Sequence, residues 1–544
     1  MTGMDAVTLE IFRNQLEGIA DEMGQVLVAS AYSPNIKERR DCSTALFDAD
    51  GRLVAQAEHI PVHLGAMPAA VDAVLARDPE PGEVWVLNDP FAGGTHLPDV
   101  TMVSPLVVES EGREVLGYAV SRAHHADVGG GTPGSMPAGA RSVYEEGLRL
   151  PPVRLKRDGD LNRDVFDLLL ANVRDPDERR ADVRAQLAAN DRGGTRLREL
   201  VAERGREAVE DGFDAVLDYS RDRTRAELGA FPDGEYRARD VLEGDGITDD
   251  EVPIEATVSV AGERCTVDFA GTAAQVDGNV NAPRAVANSA VYFALRCVTD
   301  PDIPPNQGCY DPIEVRVPQG SLLDPKPPAA VVGGNVETSQ RVTDVVFEAL
   351  AEAVPDRVPA QGQGTMNNLT VGAGDGSFSY YETIGGGFGG RASADGMDGV
   401  QVGMTNTLNT PVESLELAYP LRVDRYAFRP DSGGEGEFRG GLGLERAVTL
   451  AVPATVSLLT ERRRIAPRGR AGGGDGATGE NLVDEEVVPA KTTVEVDAGT
   501  TVVVRTPGGG GYGDPADRDP AAVERDRADG NVEVGTEERD EDGD

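Results

Sequence analysis

Lysine is almost missing from this chain: Lys37, Lys156, Lys326 and Lys491 are the only four in 544 residues. The 52 basic residues are therefore nearly all arginine, and against 94 acidic ones they leave a formal net charge of −42. A field of that sign repels a phosphate backbone or an anionic membrane surface, so no nucleic-acid or membrane partner is expected. An acidic, lysine-poor surface suits a cytoplasm of high salt, where screening within a few ångströms blunts self-repulsion. A halophilic protein of this kind should gain melting temperature steeply between dilute buffer, where the Debye length is about 30 Å at roughly 0.01 M, and molar potassium chloride. Thermal melts across that range check the expectation, and a flat or falling melting point contradicts it.

Cysteine is scarce too. Cys42, Cys265, Cys297 and Cys309 show no CxxC spacing and are too few to staple a chain of this size, which points to reduced thiols. No apolar run approaches the roughly 18 residues of a membrane span. The opening residues MTGMDAVTLEIF lack the basic and apolar stretches of a secretory signal, so a soluble, cytoplasmic protein is expected. The length exceeds what one hydrophobic core serves, about 250 to 300 residues, and implies several domains.

Apolar residues from Val7 to Leu27 recur at helical spacing and predict a long amphipathic first helix. Residues 43–56 read as a hairpin about the turn Asp48-Ala-Asp-Gly51. The pattern is helical again over residues 164–223, and after Asp249 short β-like runs alternate with glycine loops. The expectation is a multi-domain α+β protein: an N-terminal metal-carrying domain (1–163), a helical connector (164–249), a β-rich glycine-loop domain (250–515) and a mobile acidic tail (516–544).

All five histidines fall between His59 and His125. His96 and Asp99 precede a strand-like run at residues 100–108. A turn at residues 109–112 leads into a second strand that ends at Arg122-Ala-His-His125. Folding that hairpin brings two imidazoles and a carboxylate together, the donor mix of catalytic zinc and of non-haem iron or manganese. Neighbouring residues of an extended segment point to opposite faces, so only one of His124 and His125 can join. The same residues would also serve as ordinary loop chemistry, since HxxD is short and common. His59 and His63 read as structural or supporting. Glycine runs at residues 385–390 and 508–513 suggest backbone closely approached by a ligand or by other backbone, but neither is followed by the Lys-Ser/Thr of a phosphate-cradling loop.

Seven stretches together resemble the hydantoinase B/oxoprolinase family: residues 36–43 (IKERRDCS), 88–99 (NDPFAGGTHLPD), 121–130 (SRAHHADVGG), 146–152 (EGLRLPP), 334–339 (GNVETS), 404–407 (MTNT) and 507–515. The resemblance implies one divalent transition metal, zinc, manganese or iron, held by Asp41, His96, Asp99 and His124. It implies a separate hydantoinase A-type subunit that binds ATP and magnesium, hence a hetero-oligomer, and five-membered cyclic amides as substrates. His125 and Asp127 are then candidates for moving the proton, on proximity alone. A ketone carboxylase related to acetone carboxylase is the alternative enzyme, and a scaffold with structural His and Asp clusters is the alternative outside catalysis. Gln401 departs from the family, standing where relatives often carry histidine, and leaves the ring undecided.

Overall fold

The computed structural model describes residues 4–110 and 112–532. The first helix, Ala6–Ser30, starts where the Asp5 carboxylate accepts from the amides of Val7 (3.0 Å) and Thr8 (3.2 Å), satisfying donors that a helix N-terminus leaves open. Its stripe of Phe12, Leu16, Ile19, Met23 and Leu27 is buried against the long helix Pro176–Arg204 and the sheet below. Gly193 makes that approach possible, because a Cβ there would stand 2.4 Å from the Met23 sulfur.

That sheet has seven strands: β1 (Cys42–Asp48), β2 (Leu53–Glu58), β3 (Val84–Leu87), β4 (Asp99–Ser110), β5 (Gly112–His124), β6 (Val153–Arg157) and β7 (Asp160–Leu161). They run antiparallel in the order β2-β1-β5-β4-β3-β6-β7. Alternation assigns the faces. Leu46 and Ala119 meet the helices Ala6–Ser30 and Pro176–Arg204, whereas Ala45, Phe47, Tyr118 and Val120 pack with Met67 and Val71 of the helix Ala66–Leu75. Both hairpins expected from the sequence form here.

Helices Arg163–Leu170, Pro176–Arg204 and Arg206–Leu228 follow. A four-stranded sheet comes next, β8 (Gly234–Leu242), β9 (Val252–Ala261), β10 (Arg264–Asp268) and β11 (Ile313–Arg316), in the order β11-β10-β9-β8. It shares a core with the helices Arg284–Val298 and Ser339–Ala353, which the β-like reading of this region did not resolve.

The remaining strands are β12 (Asn368–Gly372), β13 (Ser379–Glu382), β14 (Leu421–Phe428), β15 (Leu444–Leu450), β16 (Ala454–Leu459), β17 (Glu480–Val483), β18 (Glu486–Val487), β19 (Lys491–Val496) and β20 (Thr501–Arg505). They form two sheets, β13-β12-β16-β19 and β14-β15-β20-β17-β18, joined by a core that includes Leu369, Val456, Leu458, Val448 and Val504. The result is the expected multi-domain α+β arrangement.

The glycine runs are closely approached by other backbone. Gly390 N donates to Gly510 O (2.8 Å), Gly441 N to Phe388 O (2.8 Å), Gly509 N to Gly441 O (2.9 Å) and Gly511 N to Gly474 O (2.9 Å), so four glycine-rich segments lie side by side. The tail departs from expectation at its start. Residues Pro520–Ala528 are helical, and Asp526 is buried between Arg439 (3.3 Å) and Arg518 (2.6 Å), partners that charge composition alone does not reveal. The rest of the expected tail, from residue 533, lies outside the described residues. All four cysteines are free, and among the described residues no helix is long and apolar enough to cross a membrane.

Candidate metal centre

Three adjacent chain segments deliver the centre. β4 begins at Asp99 and β5 ends at His124, and the register pairs these two residues directly. β1 lies on the other side of β5, where the His124 amide donates to Asp41 O at 3.0 Å just before β1 starts. The loop carrying His96 is fixed by Asn88, whose amide donates to Leu97 O (2.7 Å) and Leu148 O (2.9 Å) and accepts from Leu150 N (2.7 Å).

His96, Asp99 and His124 are buried, and their donor atoms all lie within 4.8 Å of one another. His96 Nε2 is 3.0 Å and His124 Nδ1 is 3.3 Å from the same oxygen, Asp99 Oδ1, and the two nitrogens are 3.2 Å apart. Burial alone would raise the Asp99 carboxyl, but the His96 charge and hydrogen bonds from His124, His63 and His96 outweigh it and hold the group well below the usual range. Burial pushes His124 down to about 4, so its ring is neutral near pH 7. Burial, and then the Asp99 charge, push Asp41 up to about 7. Two carboxylates beside two imidazoles form a donor set that fits a divalent cation, which would relieve the repulsion between the acids and take the converging lone pairs. Asp41 stands next to the three converging residues, not within their group.

The other half of the chain closes the site. The Tyr381 ring of β13 stacks on His124, with centroids 4.6 Å apart and 17° between planes. Arg39 covers Tyr381 at 5.2 Å and donates to Tyr381 O (2.6 Å) and Thr383 Oγ1 (2.6 Å). Thr407 and Leu408 meet Arg39, which donates to Thr407 Oγ1 at 3.3 Å and whose carbonyl accepts from Leu408 N at 3.0 Å. Gln401 donates to Thr383 O at 3.3 Å, so it borders this wall.

The structure does not bring His125 or Asp127 to the donors. His125 Nε2 is 3.0 Å from Gln186 Oε1 on the helix Pro176–Arg204. Asp127 is wholly buried and accepts from the amides of Gly129 (2.8 Å), Gly134 (3.0 Å) and Arg174 (2.9 Å) and from the Arg174 guanidinium (3.0 Å). Strand alternation separates His125 from His124, and a carboxylate with four donors holds its loop. The expected proton role for these two rested on proximity to the donors, and the structure gives both of them other partners. His63, read from the sequence as structural or supporting, does reach the centre, with Nε2 3.5 Å from Asp99 Oδ2, and so does Asn335, which sequence reasoning left aside, with Nδ2 3.3 Å from His96 Nε2. The motif at residues 334–339 was the available signal for Asn335, but an amide carries no metal-ligand signature.

The family model described as Hydantoinase B/oxoprolinase matches residues 5–515. The chain is 41% identical to 5-oxoprolinase 1 of Arabidopsis thaliana over 94% of its own length and 42% of that protein, so it spans about four-tenths of this relative. It is 34% identical to a Pseudomonas protein named as a D-/L-hydantoinase subunit, covering 97% of this chain and 93% of that one. Among solved structures, an ATP-dependent caprolactamase from Pseudomonas jessenii superposes with a TM-score of 0.90 at 29% identity over 98% of this chain and 95% of that chain. An acetone carboxylase chain shares the fold, with a TM-score of 0.86 at 20% identity over 96% of this chain and 78% of that one.

Proposed function

The chain belongs to the hydantoinase B/oxoprolinase family, and from that membership we propose that it is the metal-dependent subunit of an ATP-dependent hydrolase of cyclic amides. The observation that carries the reading is the convergence of His96 Nε2 and His124 Nδ1 on Asp99 Oδ1 inside a buried site. The names of the relatives, a hydantoinase subunit, a 5-oxoprolinase and an ATP-dependent caprolactamase, support a ring amide as substrate and ATP as co-substrate.

An unstrained amide carbonyl is a poor electrophile. Phosphorylating its oxygen, in a hydantoinase A-type subunit that binds ATP and magnesium, creates an imidate-like carbon with a good leaving group. A divalent metal bound here supplies Lewis acidity and lowers the pKa of water. His96, His124 and Asp99 hold it, and Asp41 adds a second carboxylate beside them. Tyr381 fixes the His124 ring by stacking, and burial of the donors excludes bulk solvent from the activated carbon.

The purified chain, combined with its ATP-binding subunit, should open hydantoin-type or 5-oxoproline rings in step with ADP formation. Turnover of acetone and bicarbonate in place of any ring would assign the carboxylase branch instead, and full activity from a metal-free preparation would leave the cluster a structural role. The isolated chain should not bind ATP. Its glycine runs lack the lysine and hydroxyl of a phosphate loop and are occupied by one another. Isothermal titration of ATP into the chain alone checks this, and tight saturable binding would refute it.

A further inference from the structure

The two oxygens of Asp99 live in different surroundings. Oδ1 faces the imidazoles. Oδ2 faces three hydrogen-bond donors from separate parts of the chain: Thr95 Oγ1 at 3.0 Å, His63 Nε2 at 3.5 Å and Asn335 Nδ2 at 3.5 Å. His63 is itself oriented, since its Nδ1 lies 2.9 Å from Ser43 Oγ. In the tautomer in which the Ser43 hydroxyl donates to Nδ1, the Nε2 proton faces Asp99.

Asn335 comes from 236 residues away and is buried over both His96 and Asp99. Its position is built into the backbone. It sits in a π-helical turn, Gly334–Thr338, ahead of the helix Ser339–Ala353, an irregularity that recurs at functional sites. Gly334 is pressed against Asn281, where a Cβ would stand 1.9 Å from the Asn281 carbonyl, and its amide donates to Asn279 O at 3.1 Å. Ser339 Oγ donates to Asn335 O at 2.7 Å, closing the turn.

We propose that Asn335 is a positioning residue which, with Thr95 and His63, holds Asp99 Oδ2 so that Asp99 can offer the metal only Oδ1. A carboxylate free to rotate binds a cation through one oxygen or two. Holding the second oxygen keeps a coordination position open for substrate and aligns the first with both imidazoles. This rests on the reading that the cluster binds a metal, and it adds that the C-terminal half of the chain sets the geometry of that site.

The test uses the full chain loaded with Co(II), with affinity read by chelator competition and geometry read from the visible absorption bands. Asn335→Ala and Thr95→Val should each weaken Co(II) binding by about 10- to 100-fold, the usual cost of losing a partner behind a metal ligand. Both should change the Co(II) bands, a signature that a purely structural role for the turn would not move. The Thr95 change is isosteric, so it keeps the test valid if the Asn335 variant fails to fold, as judged from melts of the metal-free chains. Affinities within about twofold of wild type with unchanged bands in the folded variants would overturn the proposal. A wild-type chain that takes up no Co(II) would instead overturn the metal reading.

Discussion

Alanine at His96 or at Asp99 should remove both bound metal and turnover. About one divalent ion per chain is expected in the wild type, because the three donors meet at one point. Losing His96 leaves one imidazole with Asp99 and the neighbouring Asp41, losing Asp99 leaves two imidazoles with only Asp41, and neither remnant is expected to retain a divalent ion through purification. Turnover with the ATP-binding subunit should fall at least about a thousandfold, roughly 4 kcal/mol at about 1.36 kcal/mol per tenfold, in the range expected for loss of Lewis-acid stabilisation. Asp41→Asn should weaken binding without abolishing it, since Asp41 lies beside the converging group. Circular dichroism and melting curves separate this from misfolding, a necessary control because removing Asp99 also strands the donors of Thr95 and His63. Stoichiometric metal in both alanine variants would refute the assignment.

The part of this centre that was legible in the sequence was its local part. Alternating apolar residues on either side of the turn at residues 109–112 define β4 and β5, and the pleat then places Asp99 opposite His124 within a residue or two. Which of His124 and His125 turns inward was not legible from spacing and came only from the family resemblance. It is tied to Gln186, on a helix some sixty residues downstream, taking the other imidazole. Asp127 looked available because Arg174, its partner, is 47 positions away. Asn335 and Tyr381 were silent for the same reason: their chemistry exists only once the β-rich half packs onto the first sheet. The helices Arg284–Val298 and Ser339–Ala353 were hidden differently. Both are buried on much of their surface, the second with polar residues such as Gln340 and Arg341 inside, and they lie in a region dense in glycine and proline.

A single methyl group in the glycine bundle should cost more than any change at the surface. A Cβ at Gly508 would stand 1.7 Å from Ser432 O, and one at Gly389 would stand 1.8 Å from Ala360 O. The obstacle in each case is backbone, which no rotamer change can move aside, and the neighbouring segment is held by its own hydrogen bonds to further glycines. Gly508→Ala should therefore cost more than about 4 kcal/mol, in the exceptional tail of single substitutions. At roughly 2 to 4 °C per kcal/mol for a domain of 150 to 250 residues, that is a melting point lower by about 10 °C or failure to accumulate as soluble protein. Gly18 in the first helix is the control. It has nothing within 4 Å of a Cβ, so Gly18→Ala should be neutral or stabilise the chain by up to about 1 kcal/mol through helix propensity. A Gly508→Ala protein that melts with the wild type would mean the segments can part by more than an ångström. Residues 508–513 would then be free enough to receive a ligand, and the expectation that the isolated chain does not bind ATP would fall with the packing on which it stands.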